Sequence, residues 1–176
     1  MKKHHITALL ASASILTGSL LSGCATSSTT TADPAHSSAV QTAPATKREI
    51  AALFHRWNAS LATLDPDKVV ANYANDAVLL PTVSNKPRTN HAELREYFVT
   101  FLKKKPQGKI DRSIIKIKGD TASDVGIYTF TLHGADGKPK QVQARYSFLY
   151  QRQRDGGWLI AHHHSSVMPE PVASAR

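Results

Sequence analysis

The spacing of apolar residues changes once along the chain, near Pro106, and this change limits the possible folds more than any other feature. Before it, apolar residues recur every three or four positions, as on the buried face of an amphipathic helix. After it, apolar and polar residues alternate in four segments, which begin at Lys109, Ala122, Gln141 and Trp158. Helices followed by alternating strands predict an α+β domain, with helices on one side of an antiparallel sheet.

Three helix starts are predicted before that point. Residues 46–49 have the S/T-x-x-E form of a capping box and open a long helix. Residues 65–66, an N-cap aspartate followed by proline, open a short helix whose inner stripe includes Tyr73. A third helix begins near Asn90 and ends at residues 103–106, where lysines suit the helix dipole and proline stops the helix.

Glycine-containing turn signals separate the alternating segments. They stand at residues 119–120, 134–138 and 155–157, and they predict hairpins. Residues 77–83 predict one more strand, between the second and third helices. The predicted order is therefore two helices, a strand, a third helix and four strands.

The last hairpin predicts which side chains share a face of the sheet. If residues 155–156 form a two-residue turn, Gln153 pairs with Trp158. The ladder then gives the pairs Leu149–His162, Ser147–His164 and Arg145–Ser166. One face carries Arg145, Ser147, His162, His164 and Ser166. The other carries Tyr146, Phe148, Tyr150, Ala161, His163 and Ser165. Because the second set is more apolar, we expect it to face the helices, although a one-residue bulge would exchange the sets.

Residues 1–23 have the form of a bacterial secretory signal. Two lysines precede an uncharged apolar stretch, residues 6–21, which is too short and wrongly flanked for a stable membrane span. Its Leu-Ser-Gly-Cys ending resembles the lipobox of bacterial lipoproteins. That resemblance implies a lipid on Cys24 and, with alanine at position 25, sorting to the outer membrane. We expect a periplasmic, lipid-anchored protein; a cleaved signal with a chance cysteine is the alternative.

The lipidated cysteine and a disordered tether are predicted over residues 24–45. Ser, Thr, Ala and Pro dominate there, and they cannot bury enough apolar surface to offset the entropy of ordering. The folded domain is expected over residues 46–170, followed by a tail at 171–176.

The chain is basic, with 22 lysines and arginines against 13 aspartates and glutamates. A basic surface is attracted to anionic lipid or cell wall polymer. The basic residues stand at turns and helix ends, without aromatic residues interleaved on a strand face. We therefore do not expect nucleic acid as a partner.

Two segments resemble the association domain of calcium/calmodulin-dependent protein kinase II and its free-standing bacterial relatives, within the SnoaL-like, nuclear transport factor 2-like superfamily. They are residues 72–82, NYANDAVLLPT, and residues 126–169, which contain the turn RDGGW and the strand HHHSS. The resemblance implies a cone of three helices on a curved antiparallel sheet, with a pocket in its mouth. It also implies a homodimer or a larger homo-oligomer. The sequence lacks the Gly-rich, HRD and DFG motifs of kinases.

Other members of this superfamily indicate what chemistry to expect. Its ketosteroid isomerases use an aspartate base in the strand after the second helix, whereas residues 77–83 contain no carboxylate. The kinase domain has pocket arginines on its last two strands, where the matching positions here are Phe148 and Ser165. Neither chemistry is expected from these positions.

The predicted ligand pocket combines an apolar body, several hydroxyls and one histidine, which is the usual make-up of a small-molecule site. Its residues are Trp57, Tyr73, Phe101, Tyr128, Tyr146, Phe148, His163 and Ser165. We expect it to bind a small molecule without a cofactor or assembled catalytic machinery. If the protein is an isomerase, cyclase or hydrolase instead, His163 is the expected acid-base residue, assisted by Tyr73 or Tyr128. The alternative for the histidines, Trp57 and Tyr73 is plain core packing.

The opposite face carries the candidate interface residues Arg145, His162, His164 and Ser166, for a second copy or an envelope partner. His162 and His164 have the spacing of zinc ligands on a strand, but zinc needs three or four ligands. The further candidates are His133, Asp111 and Asp124, and no metal site is expected. Ser165 and Ser166 adjoin histidines, yet strand neighbours point to opposite faces, so no Ser-His catalytic pair is expected.

Overall fold

The computed structural model describes residues 43–82 and 84–170. The predicted signal, Cys24, most of the tether and the C-terminal tail lie outside these residues. Within the described ranges, no helix has both the length and the apolar character needed to cross a membrane. The elements follow the predicted order, and the α+β prediction is confirmed.

Each helix begins after a residue that caps its first turn. The bounds are α1, Lys47–Ala62; α2, Pro66–Val70; and α3, His91–Phe101, continued by a 3-10 turn at Leu102–Lys104. Thr46 forms a complete capping box with Glu49, while Asp65 and Asn90 accept hydrogen bonds from amides of the following turns. The predicted helix starts are confirmed.

Five strands form one sheet in the order β1-β5-β4-β3-β2. Their bounds are β1, Tyr73–Leu80; β2, Gln107–Lys118; β3, Thr121–His133; β4, Pro139–Arg152; and β5, Trp158–Val167. Strands β2 to β5 pair antiparallel, whereas β1 runs parallel to β5 at the edge. The antiparallel prediction therefore holds for four strands, and β1 is the exception.

Tyr73 is the first residue of β1, and the prediction that placed it on the second helix is wrong. Asn72 explains the early end of α2. Its side-chain amide donates to the carbonyls of Lys68 and Val69, at 3.0 and 3.1 Å. Its own carbonyl accepts from the Ile160 amide at 2.9 Å, so pairing with β5 begins at once.

The β4–β5 hairpin differs from prediction at its turn. Arg152, not Gln153, pairs with Trp158, because the Gln153 amide closes a longer turn by donating to the Gly157 carbonyl at 2.7 Å. A register shift at Ala161 then restores the predicted pairs from Leu149–His162 onward. Ile160, and not Ala161, is therefore the buried residue that precedes His163 on the inner face.

The core lies between the helices and the inner face of the sheet. Its largest fully buried side chains are aromatic: Trp57, Tyr73, Tyr150, Phe54, Phe98 and Phe148. Phe148 of β4 contacts Trp57 of α1 with ring centroids 5.4 Å apart. Aromatic packing of this kind holds α1 against the centre of the sheet.

Candidate functional site

A cavity of about 390 Å³ opens between α3 and the inner face of β3, β4 and β5, a size typical of small-molecule sites. Five predicted pocket residues line it: Trp57, Phe101, Tyr128, His163 and Ser165. The other three, Tyr73, Tyr146 and Phe148, are buried and do not line it. Tyr73 is nevertheless hydrogen-bonded to His163, which does line the cavity.

The Tyr73 hydroxyl fixes the protonation of His163. It lies 3.1 Å from Nε1 of Trp57 and 3.0 Å from Nδ1 of His163. An indole N–H only donates, so the tyrosine oxygen accepts from Trp57. A proton on Nδ1 of His163 would leave both the tyrosine proton and Nε2 without a partner in the described hydrogen bonds, so we assign the tyrosine proton to the bond with Nδ1. His163 therefore accepts at Nδ1, and its neutral ring carries the proton on Nε2.

His163 stays neutral at pH 7. Burial lowers its pKa to about 3, with smaller contributions from His162 and His164. The residue is 4% exposed, and its ring contacts two others, with Phe148 stacked at 4.1 Å and Trp57 edge-on at 5.3 Å. The Nε2 atom is buried and has no hydrogen-bond partner within the described residues.

The Nε2–H of His163 is an unsatisfied buried hydrogen-bond donor. Leaving such a donor unsatisfied costs about 1–3 kcal/mol. His163 is among the residues that line the cavity, but its Nε2 atom is itself closed to a water-sized sphere. A ligand oxygen can therefore accept from Nε2 only when a neighbouring side chain of the wall moves.

A second polar group in the cavity consists of three hydroxyls. The Ser165 side chain is hydrogen-bonded to those of Thr82 and Tyr128, and all three residues line the cavity. Burial raises the pKa of Tyr128 to about 12, although its hydrogen bond to Ser165 opposes this shift. These hydroxyls are neutral at pH 7 and both donate and accept hydrogen bonds.

The rest of the wall is apolar, and its rim is basic. The apolar residues include Leu79, Phe98, Phe130, Leu132, Val142 and Ala144. Lys104 and Lys140 line the rim together with His133. In the part of the chain that the structure describes, neither aspartate nor glutamate lines this cavity.

Several of these residues were missed by sequence reasoning. Lys104 was interpreted only as a favourable charge at a helix end. Tyr97 and Phe98 of α3 also line the cavity, and no site was predicted from them. The rings of Tyr97 and Phe101 stack at 5.6 Å, and their i, i+4 spacing was the available signal. Thr82 follows β1 and gave no signal.

The outer face of the sheet carries the predicted interface residues. His162 and His164 lie on it, and Nε of Arg145 donates to Oγ of Ser166 at 3.2 Å. One row of this face crosses all five strands: Ile114, Val125, Ser147, His164 and Leu80. Ile114 and Leu149 are 44% and 41% exposed, so the face is partly apolar.

The further metal candidates do not gather around His162 and His164. Asp124 is buried on the inner face, where it accepts from Ser113 at 2.5 Å and Tyr146 at 2.9 Å. Asp111 accepts from Thr129 at 2.6 Å. Over residues 43–82 and 84–170, no three His, Cys, Asp or Glu side chains are placed to hold a metal ion.

The family model for the calcium/calmodulin dependent protein kinase II association domain matches residues 46–169. A candidate association domain of this kind from Xanthomonas campestris is 52% identical, with a TM-score of 0.70 over 72% of this chain and 91% of that one. A candidate aromatic ring hydroxylase from Novosphingobium aromaticivorans is 26% identical, with a TM-score of 0.60 over 68% and 87%. A nuclear transport factor 2-like protein from Salmonella enterica is 20% identical, with a TM-score of 0.61 over 72% and 94%. No curated protein matches significantly.

Proposed function

Because this chain belongs to the calcium/calmodulin dependent protein kinase II association domain family, we propose that it is a self-associating domain that binds a small ligand in its cavity. One observation carries the ligand proposal. The buried Nε2 atom of His163 has no partner within the described residues and belongs to a residue that lines an apolar cavity. A ligand that supplies an acceptor there gains a buried hydrogen bond as well as apolar contacts.

Thermal unfolding tests this proposal with benzophenone and diphenylmethane, which have nearly the same shape but differ in one carbonyl oxygen. We expect benzophenone to raise the Tm of the purified protein by more than diphenylmethane does, because only its carbonyl accepts from His163. A ligand at a hundred times its Kd adds about 2.7 kcal/mol, which is several degrees for a domain of this size.

The Val142→Trp variant is the control for this assay. Val142 is half-buried and lines the cavity, so a larger side chain fills the space without entering the packed core. We expect this variant to fold and to lose both Tm shifts. Unchanged Tm values across a wider panel of small apolar ketones and acids would overturn the ligand proposal.

Binding is favoured over catalysis by the protonation of the candidate acid-base residues. His163 has a pKa of about 3, burial raises the pKa of Tyr73 well above its usual value, and Tyr128 has a pKa of about 12. A general acid or base works best with a pKa near the operating pH. None of the three meets that condition near neutrality. An activity that survives His163→Gln would exclude this residue from an enzymatic role.

Self-association through the outer face of the sheet is supported by the family and by the exposed apolar residues of that face. Arg145 lies near the centre of β4 there, opposite Ile127 and Ser166. We expect Arg145→Glu to lower the mass measured by light scattering. Arg154→Glu changes charge equally in the β4–β5 turn and is expected to leave the mass unchanged. An unchanged mass in both variants would place the self-association interface elsewhere.

We propose further that the protein is anchored to the periplasmic side of the outer membrane through lipid on Cys24. The support is the signal-like segment with its Leu-Ser-Gly-Cys ending and the alanine at position 25. Multiple acyl chains hold a protein durably, since each buried methylene contributes about 0.8 kcal/mol. Cys24→Ala should remove the protein from the outer-membrane fraction. Retention of that variant in the outer-membrane fraction would contradict the anchor.

A further inference from the structure

We infer that the ligand is an organic anion that lies with its apolar body inside the cavity and its negative group at the rim, against Lys104 and Lys140. This inference rests on the proposed binding function and names the chemical class of the ligand. The two lysines come from different elements, the 3-10 turn after α3 and the start of β4, and both line the same cavity.

The rim lysines have no acidic partners within the described residues. Other basic side chains of the described chain form ion pairs: Lys86 lies 3.2 Å from Glu93, and Arg95 lies 2.7 Å from Asp67. Lys104 and Lys140 take part in none of the described ion pairs. Neither ammonium group is ion-paired in the described residues, and the nearest carboxylates belong to neighbouring surfaces, such as Glu96 in the groove that Lys104 also lines.

His133 supplies a third polar group at this rim. Its Nδ1 atom is buried without a hydrogen-bond partner in the described residues, and the residue lines the cavity. Its neighbour in the ladder is Pro139, directly before Lys140. The cavity lining therefore includes two lysines and a histidine, all with basic side chains, and no acidic residue within the described chain.

Charge at this position selects among ligands. An anion that is partly withdrawn from water beside apolar walls interacts with lysine more strongly than it would on an open surface. Long lysine side chains also cover apolar surface while their charged ends stay in water. A ligand with one apolar end and one anionic end makes apolar contacts with the wall and charge interactions with the rim lysines. A neutral ligand makes only the apolar contacts.

Two fluorescent probes of shared shape test the inference. They are 1-anilinonaphthalene-8-sulfonate, an anion, and N-phenyl-1-naphthylamine, which lacks the sulfonate. Fluorescence titration of the purified protein should give a lower Kd for the anion. The double variant Lys104→Met/Lys140→Met should weaken binding of the anion by about tenfold, with little change for the neutral probe.

The matched control is Lys103→Met/Lys138→Met. It removes the same charge from neighbouring positions that do not line the cavity. We expect it to bind both probes as the wild type does. Because the neutral probe requires an intact cavity, its unchanged binding also reports that each variant is folded.

The outcomes separate two kinds of failure. If the neutral probe binds the cavity as tightly as the anion, or if the rim variant binds the anion like the wild type, the inferred ligand class is wrong while ligand binding stands. If neither probe binds the wild type in a way that Val142→Trp abolishes, the proposed binding function fails, and this inference fails with it.

Discussion

Tyr73 is the residue on which the direction of the buried hydrogen bonds depends. Its hydroxyl is the only group between the Trp57 and His163 rings in the described hydrogen bonds, and it both accepts and donates. Through this oxygen, a side chain outside the cavity determines which nitrogen of His163 can serve a ligand. A residue that does not line the cavity thus determines which nitrogen of His163 carries the proton.

The Tyr73→Phe variant should lose stability. Removing the hydroxyl leaves Nε1 of Trp57 and Nδ1 of His163 buried without that partner, which costs about 1–3 kcal/mol for such groups. Urea unfolding measures the change in the free energy of unfolding. Tyr97→Phe is the matched control, since no described hydrogen bond involves its hydroxyl. Equal losses in the two variants would contradict the role given to Tyr73.

His163 makes stability depend on pH. Its pKa is about 3 in the folded state and about 6.5 when unfolded, so only the unfolded chain takes up a proton as pH falls from 6.5 towards 3. Stability is therefore full above pH 6.5 and falls by about 1.4 kcal/mol per pH unit below it. Urea unfolding at pH 7 and pH 5 should show this loss in the wild type.

Two histidine variants separate this effect from the neighbouring histidines. His163→Gln should reduce the pH dependence, because the group that titrates only in the unfolded chain is gone. His164→Gln changes an exposed neighbour and should keep most of it. If the two variants lose stability equally between pH 7 and pH 5, His163 is not the source.

Alternation in the last strand was enough to predict that His163 faces inward, and the burial of His163 and Ser165 confirms it. Its partner could not be predicted. The hydrogen bond with Tyr73 depends on the parallel pairing of β1 with β5, which begins with the contact of Asn72 with the distant Ile160. Local periodicity carries no information about such contacts.

At the level of single elements, bulges determine how the strands bend. In β2, the register shifts between Ile110 and Arg112, opposite Tyr128 and Ile127 of β3, and Gly126 pairs with the next residue, Ser113. A Cβ atom at Gly126 would lie 1.9 Å from the Arg112 carbonyl oxygen, which is backbone and cannot rotate away. Gly126 therefore permits the close approach of the two strands at the bulge.

Gly126→Ala should destabilise the protein strongly. Forcing a methyl group against backbone moves the strands apart, and overpacking of this kind costs about 1–3 kcal/mol or more. Gly157→Ala is a milder change, because its nearest contact is the Asp155 side chain at 3.2 Å. Thermal unfolding by circular dichroism should show a much lower Tm for the first variant alone. Similar Tm values would mean that β2 adjusts without the bulge.

The β4–β5 hairpin illustrates why registers are hard to predict. Two deviations compensate: the turn is longer than the predicted two residues, and Ala161 interrupts the ladder. The predicted faces of His162, His163 and His164 were right because the deviations cancel. Alternation indicates which residues share a face, but only the closed hydrogen bonds of the turn locate the bulge.

For the molecule as a whole, the outer face leaves apolar surface in water. Leu149 and Ile114 are exposed there beside His162 and Arg145. If two copies bury this face against each other, unfolding is linked to dissociation, and the Tm rises with protein concentration. We expect a rise of several degrees over a hundredfold range of concentration.

A pair of leucine variants tests that link. Leu149→Asp places a charge on the outer face and should remove the dependence of Tm on concentration. Leu64→Asp alters a similarly exposed leucine, 47% against 41%, between α1 and α2 and should keep it. A Tm that is independent of concentration in the wild type would contradict self-association in this range.

The position of β5 in the sheet has a consequence for the order in which the protein is made. This strand is the last of the five in the chain, yet it lies between β1 and β4. Until Trp158–Val167 has emerged during synthesis, β1 and β4 each present an unpaired edge, the kind of surface that recruits other chains. Strand β5 pairs with both edges and also carries His163. The sheet and the His163 side of the cavity are therefore completed by the same strand, which is the last to be made.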